Sequence, residues 1–192
     1  MPAKNNPARM MAAVTDSMKE RTGKSLEEWV ALVQASGVDP LDQKAVRHWL
    51  KTEHGVLQNS QWAIADAAAR AAGWVRPSVE EYINSQYEGA KANLKPLFDT
   101  LREVIEGQGE DVRVEGRSGY TPFVRRRQFA VLQASTKTRI DLDLRFTDPP
   151  DSSLLNPSNP PGQCTHKIAI HSLEDITQEV NKLIKLAYNQ NA

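Results

Sequence analysis

The chain has 192 residues, of which 40% are hydrophobic and 25% charged, and its 24 basic side chains equal its 24 acidic ones in number. These values are typical of a globular protein with a packed core, in one large domain or two small ones. The single cysteine, Cys164, excludes an intrachain disulfide and a thiolate metal cage, which fits a reducing compartment. Because there is no apolar run of 18 residues and no signal peptide, we predict a cytoplasmic protein without membrane contact.

The first part of the chain has the pattern of a small helical domain. Prolines and asparagines near the start predict a flexible N-terminus over residues 1–20, and helical periodicity predicts a three-helix bundle in a domain over 21–74. Trp29, Trp49 and Trp62 are the candidate core residues. The predicted helix starts are at Ser25, which has capping-box spacing to Glu28, at Pro40, and at Asn59 or Ser60.

Charge bears on what this bundle can bind. Residues 20–74 carry six basic and seven acidic side chains, and affinity for nucleic acid depends mainly on neutralising phosphates. A helix-turn-helix reader of DNA is therefore a weak hypothesis for the bundle. Docking of a protein partner is the alternative.

The second part of the chain changes from helical to strand periodicity. Ser78 and Glu81 repeat the capping-box spacing before a helix predicted over 79–106, which contains Pro96. Two strands follow. The strand over 128–134 is apolar on both faces, and the strand over 139–146 has one apolar face and one wet, that is solvent-exposed, face. The wet face holds Arg139, Asp141, Asp143 and Arg145, and the apolar face holds Ile140, Leu142, Leu144 and Phe146.

The remaining elements complete an α+β domain over 78–192. Ser135 to Lys137 is predicted as a hairpin turn, and residues 147–162, with five prolines, must form a loop. A short strand over 166–171 and a last helix that opens at Ser172 follow. The predicted fold class is α+β: an N-terminal three-helix bundle, then a domain built of a helix, an antiparallel sheet and a helix.

The segment over 112–146 concentrates positive charge in this otherwise neutral chain. It has eight basic and three acidic side chains, which indicates binding of an anionic ligand such as a nucleic acid or a phosphorylated small molecule. Arg125, Arg126 and Arg127 are expected in a strand, with Arg125 and Arg127 on one side. Charge that only protects a sheet edge, with Asp141 and Asp143 pairing to arginines, is the alternative. The candidate ligand-binding residues are Tyr120, Arg125, Arg127, Lys137, Arg139, Arg145 and His166.

A second hypothesis is an enzyme. His166 lies beside the Pro-rich loop and is the best candidate for an acid or base, and Cys164 is two residues away as a weaker candidate nucleophile. His166 and His171 fall on opposite faces of one strand, so they are not expected to share a metal. No set of nucleophile, base and metal ligands is present, so no catalytic residue, metal or cofactor is predicted.

Four segments of the chain, two at the front and two at the rear, resemble a bacterial family of two-part proteins of unknown function. At the front these are TGKSLEEWVALVQASGV and VRHWLKTEHGV, and at the rear GYTPFVRRRQFAVLQASTKTRIDLDLRF and CTHKIAIHS. Where many relatives have a histidine-rich turn, this chain has Leu57, Gln58, Asn59 and Ser60. The order of helix, strands and helix in the rear domain is also similar to frataxin-like iron chaperones, although such proteins favour carboxylate-rich surfaces.

Overall fold

The computed structural model describes residues 16–157 and 163–192. Residues 1–15 of the predicted flexible N-terminus and residues 158–162 of the Pro-rich loop lie outside the described residues. The chain divides into two compact units, the first ending at Arg76 and the second beginning at Pro77. Helices fill the first unit, and the second has helices before and after an antiparallel sheet, so the predicted α+β class is confirmed.

The first unit is a helical bundle. Its described helices are α1 (Met18–Thr22), α2 (Leu26–Ala35), α3 (Gln43–His54) and α4 (Gln58–Ala71). The core includes Met18, Trp29, Val33, Val46, Leu50 and Ile64, all buried. The prediction of Trp62 as a core residue is wrong, because its side chain is 43% exposed and lies under the Arg47 guanidinium, 3.6 Å from the ring centroid.

The helix starts differ in how their free amides are capped. The capping box of Ser25 and Glu28 is confirmed at α2, and Asp42 caps α3. The predicted cap at Asn59 or Ser60 is wrong, because α4 begins already at Gln58. Its N-cap is Leu57, whose side chain has no group that could accept a hydrogen bond from the first amides.

In the second unit, the single helix predicted over 79–106 is divided. It forms α5 (Val79–Gln86), a 3-10 turn (Gly89–Leu94) and α6 (Lys95–Glu106). α5 ends at Gln86, and Gly89, at the start of the 3-10 turn, has a φ of 57°, which interrupts the helical path between α5 and α6. Pro96 lies in the first turn of α6, where its missing N–H costs no hydrogen bond. The last helix, α7 (Gln178–Gln190), is capped by Thr177, and the predicted start at Ser172 belongs to a separate 3-10 turn.

The sheet of the second unit has six described strands. They are β1 (Arg113–Val114), β2 (Thr121–Val124), β3 (Gln128–Ala134), β4 (Ile140–Leu144), β5 (Asn156–Pro157) and β6 (His166–Ile170). Their order is β1-β2-β3-β4-β6-β5, and all neighbours are antiparallel. The predicted hairpin turn after β3 and the burial of β3 on both faces are confirmed. No helix of the described residues is long and apolar enough to cross a membrane.

One face of the sheet carries the core of this unit. Alternate residues of β3, β4 and β6 form one buried cluster with residues of the three helices. The other face of β4 is not wet as predicted, because Asp141 is 6% exposed and Asp143 only 1%. β4 is an inner strand, so Asp143 lies between Val131 on β3 and Lys167 on β6, and these neighbours contribute to its burial.

Candidate anion-binding sites

The three consecutive arginines do not lie in a strand, and that prediction is wrong. They form the bend that connects β2 to β3, in which the Arg125 amide donates to the Arg127 carbonyl at 3.0 Å. The register shifts here, since Val124 pairs with Gln128. A bend exposes side chains more freely than a strand, and both Arg126 and Arg127 are exposed.

The seven predicted ligand-binding residues are distributed over two ends of the sheet. We call the end at the 125–127 bend the bend end and the end at the 135–139 turn the turn end. The two are separated by the length of β3, seven residues or roughly 23 Å. Arg125, Arg127, Arg145 and His166 lie at the bend end, and Tyr120, Lys137 and Arg139 at the turn end. The structure therefore does not bring the predicted set together.

Arg125 is committed to contacts within the protein. Its Nε lies 2.7 Å from Asp111 Oδ2, and its guanidinium stacks 4.1 Å from the ring centroid of Tyr188. The Tyr188 hydroxyl donates to Asp111 Oδ1 at 2.6 Å. These hydrogen bonds lower the pKa of Asp111 and raise that of Tyr188. These contacts could not be predicted from the sequence, because Asp111 and Tyr188 are distant from each other in the chain.

The basic side chain of Arg139 at the turn end is partly neutralised. Its Nε lies 2.8 Å from Asp141 Oδ1. Lys167, which follows His166 on β6, reaches the same carboxylate, with its Nζ 3.5 Å from Asp141 Oδ2. Arg139 thus pairs with an acidic neighbour, in agreement with the alternative explanation of the charge. Within the described ranges, Arg126, Arg127 and Lys137 are exposed and form no ion pair.

His166, the predicted acid or base, contacts groups that hold its ring in place. Its Nδ1 is 2.9 Å from the Thr165 hydroxyl, and its ring packs edge-on against Phe146. Cys164 is buried and accepts from the Gln128 amide at 3.4 Å, and burial raises the pKa of its thiol to about 12. A thiol with so high a pKa is almost entirely protonated at neutral pH and is a poor nucleophile, which disfavours catalysis by a Cys164–His166 pair.

Asp143 is an unusual carboxyl group. Its Oδ2 is buried and has no hydrogen-bond partner among the described residues. Burial and the neighbouring Asp141 raise the pKa of Asp143 to about 7, while Lys167 acts in the opposite direction. In the described residues there is no group of three or more His, Cys, Asp or Glu arranged to hold a metal ion.

The first unit contains a cavity that the sequence did not predict. It has a volume of about 510 Å³ and lies where the ends of α1 and α3 meet the start of α4. Apart from Arg21, its walls come from the two front segments that carry the family resemblance and from the four residues that replace the histidine-rich turn. No signal in the sequence indicated it, because the residues predicted as caps, Asn59 and Ser60, lie instead in the first turn of the helix. The lining residues are Arg21, Thr22, His54, Gly55, Val56, Leu57, Gln58, Asn59 and Ser60.

These features define a protein of two units, a helical bundle followed by an α+β unit with basic residues at both ends of its sheet. Residues 83–191 match the family described as "Domain of unknown function (DUF5655)", and residues 10–67 match "Domain of unknown function (DUF4287)". Because the first match spans more than half of the chain, the protein belongs to the DUF5655 family. No curated protein and no solved structure matches the chain.

Proposed function

We propose that the second unit is a binding module for an anionic ligand and that the ligand binds at the bend end of the sheet. One observation supports the proposal most directly. Arg126 and Arg127 are adjacent, exposed and without an acidic partner in the described part of the chain. Guanidinium groups in that state are available for phosphate oxygens, to which they can donate two parallel hydrogen bonds.

The surroundings of the bend add to this argument. Arg125 pairs with Asp111 and stacks on Tyr188, which ties one side of the bend to α7. The Arg113 guanidinium donates to the Arg125 carbonyl at 3.1 Å, and so brings another positive charge to the bend. The bend is thus held from two sides while its outer arginines stay free.

Exposure of both arginines favours an extended anion over an enclosed small molecule. A small ligand gains specificity from a concave site that surrounds it, whereas a nucleic-acid backbone presents repeated phosphates to an open surface. We therefore favour single-stranded or duplex nucleic acid as the ligand and keep phosphorylated small molecules as the alternative.

The test is binding of fluorescently labelled single strands, duplexes and nucleotides, measured by anisotropy as a function of salt. Arg127→Gln should weaken binding and reduce the slope of log affinity against log salt by about 0.7–0.9, the value for one phosphate contact. Lys137→Gln is the matched control, since it removes one exposed charge at the turn end. Wild-type binding that does not respond to salt, or equal losses in the two variants, would contradict the proposal.

A further inference from the structure

We propose, on the basis of the function proposed above for the bend end, that its ligand is a duplex nucleic acid and that the binding surface continues from the bend along the exposed side of α7. The duplex is held through the phosphates of its backbone and not through its bases. The surface thus includes two lysines of α7, Lys182 and Lys185, which lie outside the basic segment over 112–146.

Three exposed polar residues of α7 form one stripe on the helix. Lys182, Lys185 and Asn189 are spaced three and four residues apart, so their side chains lie on the same side. The other side of α7 belongs to the core of the second unit, where Ile184 and Ala187 are fully buried. The helix therefore presents to solvent a polar stripe about 10 Å long, at about 1.5 Å per residue.

The C-terminal end of the α7 stripe lies beside the bend. The Arg125 guanidinium stacks on the ring of Tyr188 and also donates to the Tyr188 carbonyl at 3.4 Å. Asn189 is the next residue of the helix, and Lys185 precedes Tyr188 by about one turn. The exposed arginines of the bend and the α7 stripe are therefore neighbours on the surface of the second unit.

The basic side chains of this surface are free to bind a ligand. Within the described part of the chain, neither the two lysines of the stripe nor Arg126 and Arg127 form an ion pair. The Asp111 carboxylate beside the bend already binds the Arg125 guanidinium and the Tyr188 hydroxyl. The four free cations thus form a positive surface that extends from the bend onto the helix.

Acidic residues limit this surface at its edges. Glu179, one turn before Lys182, accepts a hydrogen bond from Ser152, and its negative charge ends the positive stripe toward the start of α7. Glu110 and Asp148 are exposed acids near the two ends of the chain segments that meet at the bend end. They are fewer than the four free cations, so the surface keeps a net positive charge that attracts a polyanion.

The aromatic rings at the bend end do not offer a platform for unpaired bases. Proteins that bind single strands without sequence preference stack successive bases on aromatic side chains. Tyr188 is only 9% exposed, and one face of its ring is covered by Arg125. Phe129 and Phe146 are buried, and the half-buried ring of His166 packs edge-on against Phe146. A duplex keeps its bases stacked within itself and needs no such platform.

The surface is also unsuited to reading base edges. Direct readout requires a helix or a two-stranded ribbon that enters the major groove, which is about 8.5 Å deep. α7 lies on the sheet with its inner side in the core, and Arg125 holds the bend against the end of this helix. Neither element projects far enough, so the contacts are those of arginine, lysine and asparagine side chains with phosphates.

The experiment is fluorescence anisotropy of the full-length protein with labelled duplex DNA, duplex RNA and the corresponding single strands, all of equal length, over a range of salt concentrations. We expect a duplex to bind severalfold more tightly than either of its strands. For four cations the slope of log affinity against log salt should be about −3.6 on duplex DNA, at about 0.9 per phosphate contact, whereas the two arginines of the bend alone would give about −1.8. Duplexes of permuted sequence should bind within about twofold of each other, since phosphate contacts carry no sequence information.

Substitutions on α7 test the extension of the surface. Lys182→Gln and Lys185→Gln should each weaken duplex binding severalfold and each reduce the slope by about 0.9. Both side chains are exposed, so the fold should not change. Lys137→Gln is the matched control, because it removes one exposed lysine charge at the turn end and should bind like the wild type.

The outcomes separate this proposal from the function on which it rests. Single strands that bind as tightly as the duplexes, or a slope near −1.8 that Lys182→Gln and Lys185→Gln leave unchanged, would overturn the proposal while the anion-binding function of the bend end stood. A preference of about tenfold or more for one duplex sequence would overturn backbone recognition. Absence of salt-dependent binding to every one of these nucleic acids would overturn both proposals.

Discussion

Ionisation of Asp143 should make the second unit less stable at neutral and higher pH than at pH 4. The folded protein holds the pKa of this carboxyl at about 7, against an ordinary value of 3.8, chiefly because the group is buried. A carboxyl whose pKa is raised by folding contributes stability below its unfolded pKa, and that contribution is lost as the pH rises through the folded pKa. The relevant window therefore runs from about pH 4 to pH 7.

The size of the effect follows from the shift. A change of about three pKa units corresponds to roughly 4 kcal/mol at pH values above the folded pKa, at about 1.36 kcal/mol per unit. At pH 5 the unfolded carboxyl is already mostly ionised, which leaves roughly 3 kcal/mol to be lost between pH 5 and pH 8.5. Asp143→Asn removes the ionisation with little change in shape, and its unpaired amide costs about the same at both pH values.

The assay is urea unfolding of wild type and Asp143→Asn at pH 5 and pH 8.5. Circular dichroism is the probe, since tryptophan fluorescence reports only on the first unit. Relative to the wild type, Asp143→Asn should gain roughly 3 kcal/mol in the free energy of unfolding between pH 5 and pH 8.5. Asp151→Asn, at an exposed position, should show no such change. An effect of Asp143→Asn that is equal at the two pH values would refute the reasoning.

Three other substitutions or modifications test separate parts of the structure. Leu57→Asp should cap α4 and raise the free energy of unfolding by about 1 kcal/mol, because its carboxylate would accept hydrogen bonds from the first amides of the helix; thermal melts check this effect. Cys164 should resist iodoacetamide at pH 8 in the native state and react in urea, as followed by mass spectrometry, because its thiol is buried with a pKa of about 12. Gly109→Ala would bring a methyl group against the Tyr188 hydroxyl and should lower the urea midpoint by an amount equivalent to about 1–3 kcal/mol; an unchanged midpoint would show that the contact relaxes without cost.

The sequence predicted the elements that depend on local chemistry. The capping box at Ser25 involves residues within one helical turn, and the periodicity of 128–134 involves residues of one strand. Both patterns can therefore be recognised directly in the sequence. The order of helices and strands likewise follows from changes in periodicity, and it was enough to predict the α+β class. The division of the helix over 79–106 was indicated by Pro96 but depends as much on Gly89.

The candidate site was less predictable because it depends on strand length and direction. Lys137 and Arg127 are ten positions apart in the sequence, yet the antiparallel hairpin places them at opposite ends of β3. Alternation also failed for β4, since a polar residue on a strand lies in solvent only if nothing covers that face. The burial of Asp143 depends on its neighbours in the sheet and not on its position in the alternation of polar and apolar residues.

The sequence by itself determined the helices, the strands and the local excess of positive charge over 112–146, because these properties arise from residues close together in the chain. Only the tertiary structure decided which arginines stay free, since Asp111 and Tyr188 meet Arg125 through contacts between distant segments. The cavity of the first unit likewise depends on contacts between segments that are distant in the chain. Its lining residues Arg21, His54 and Ser60 come from three helices, and only the packing of those helices brings them together.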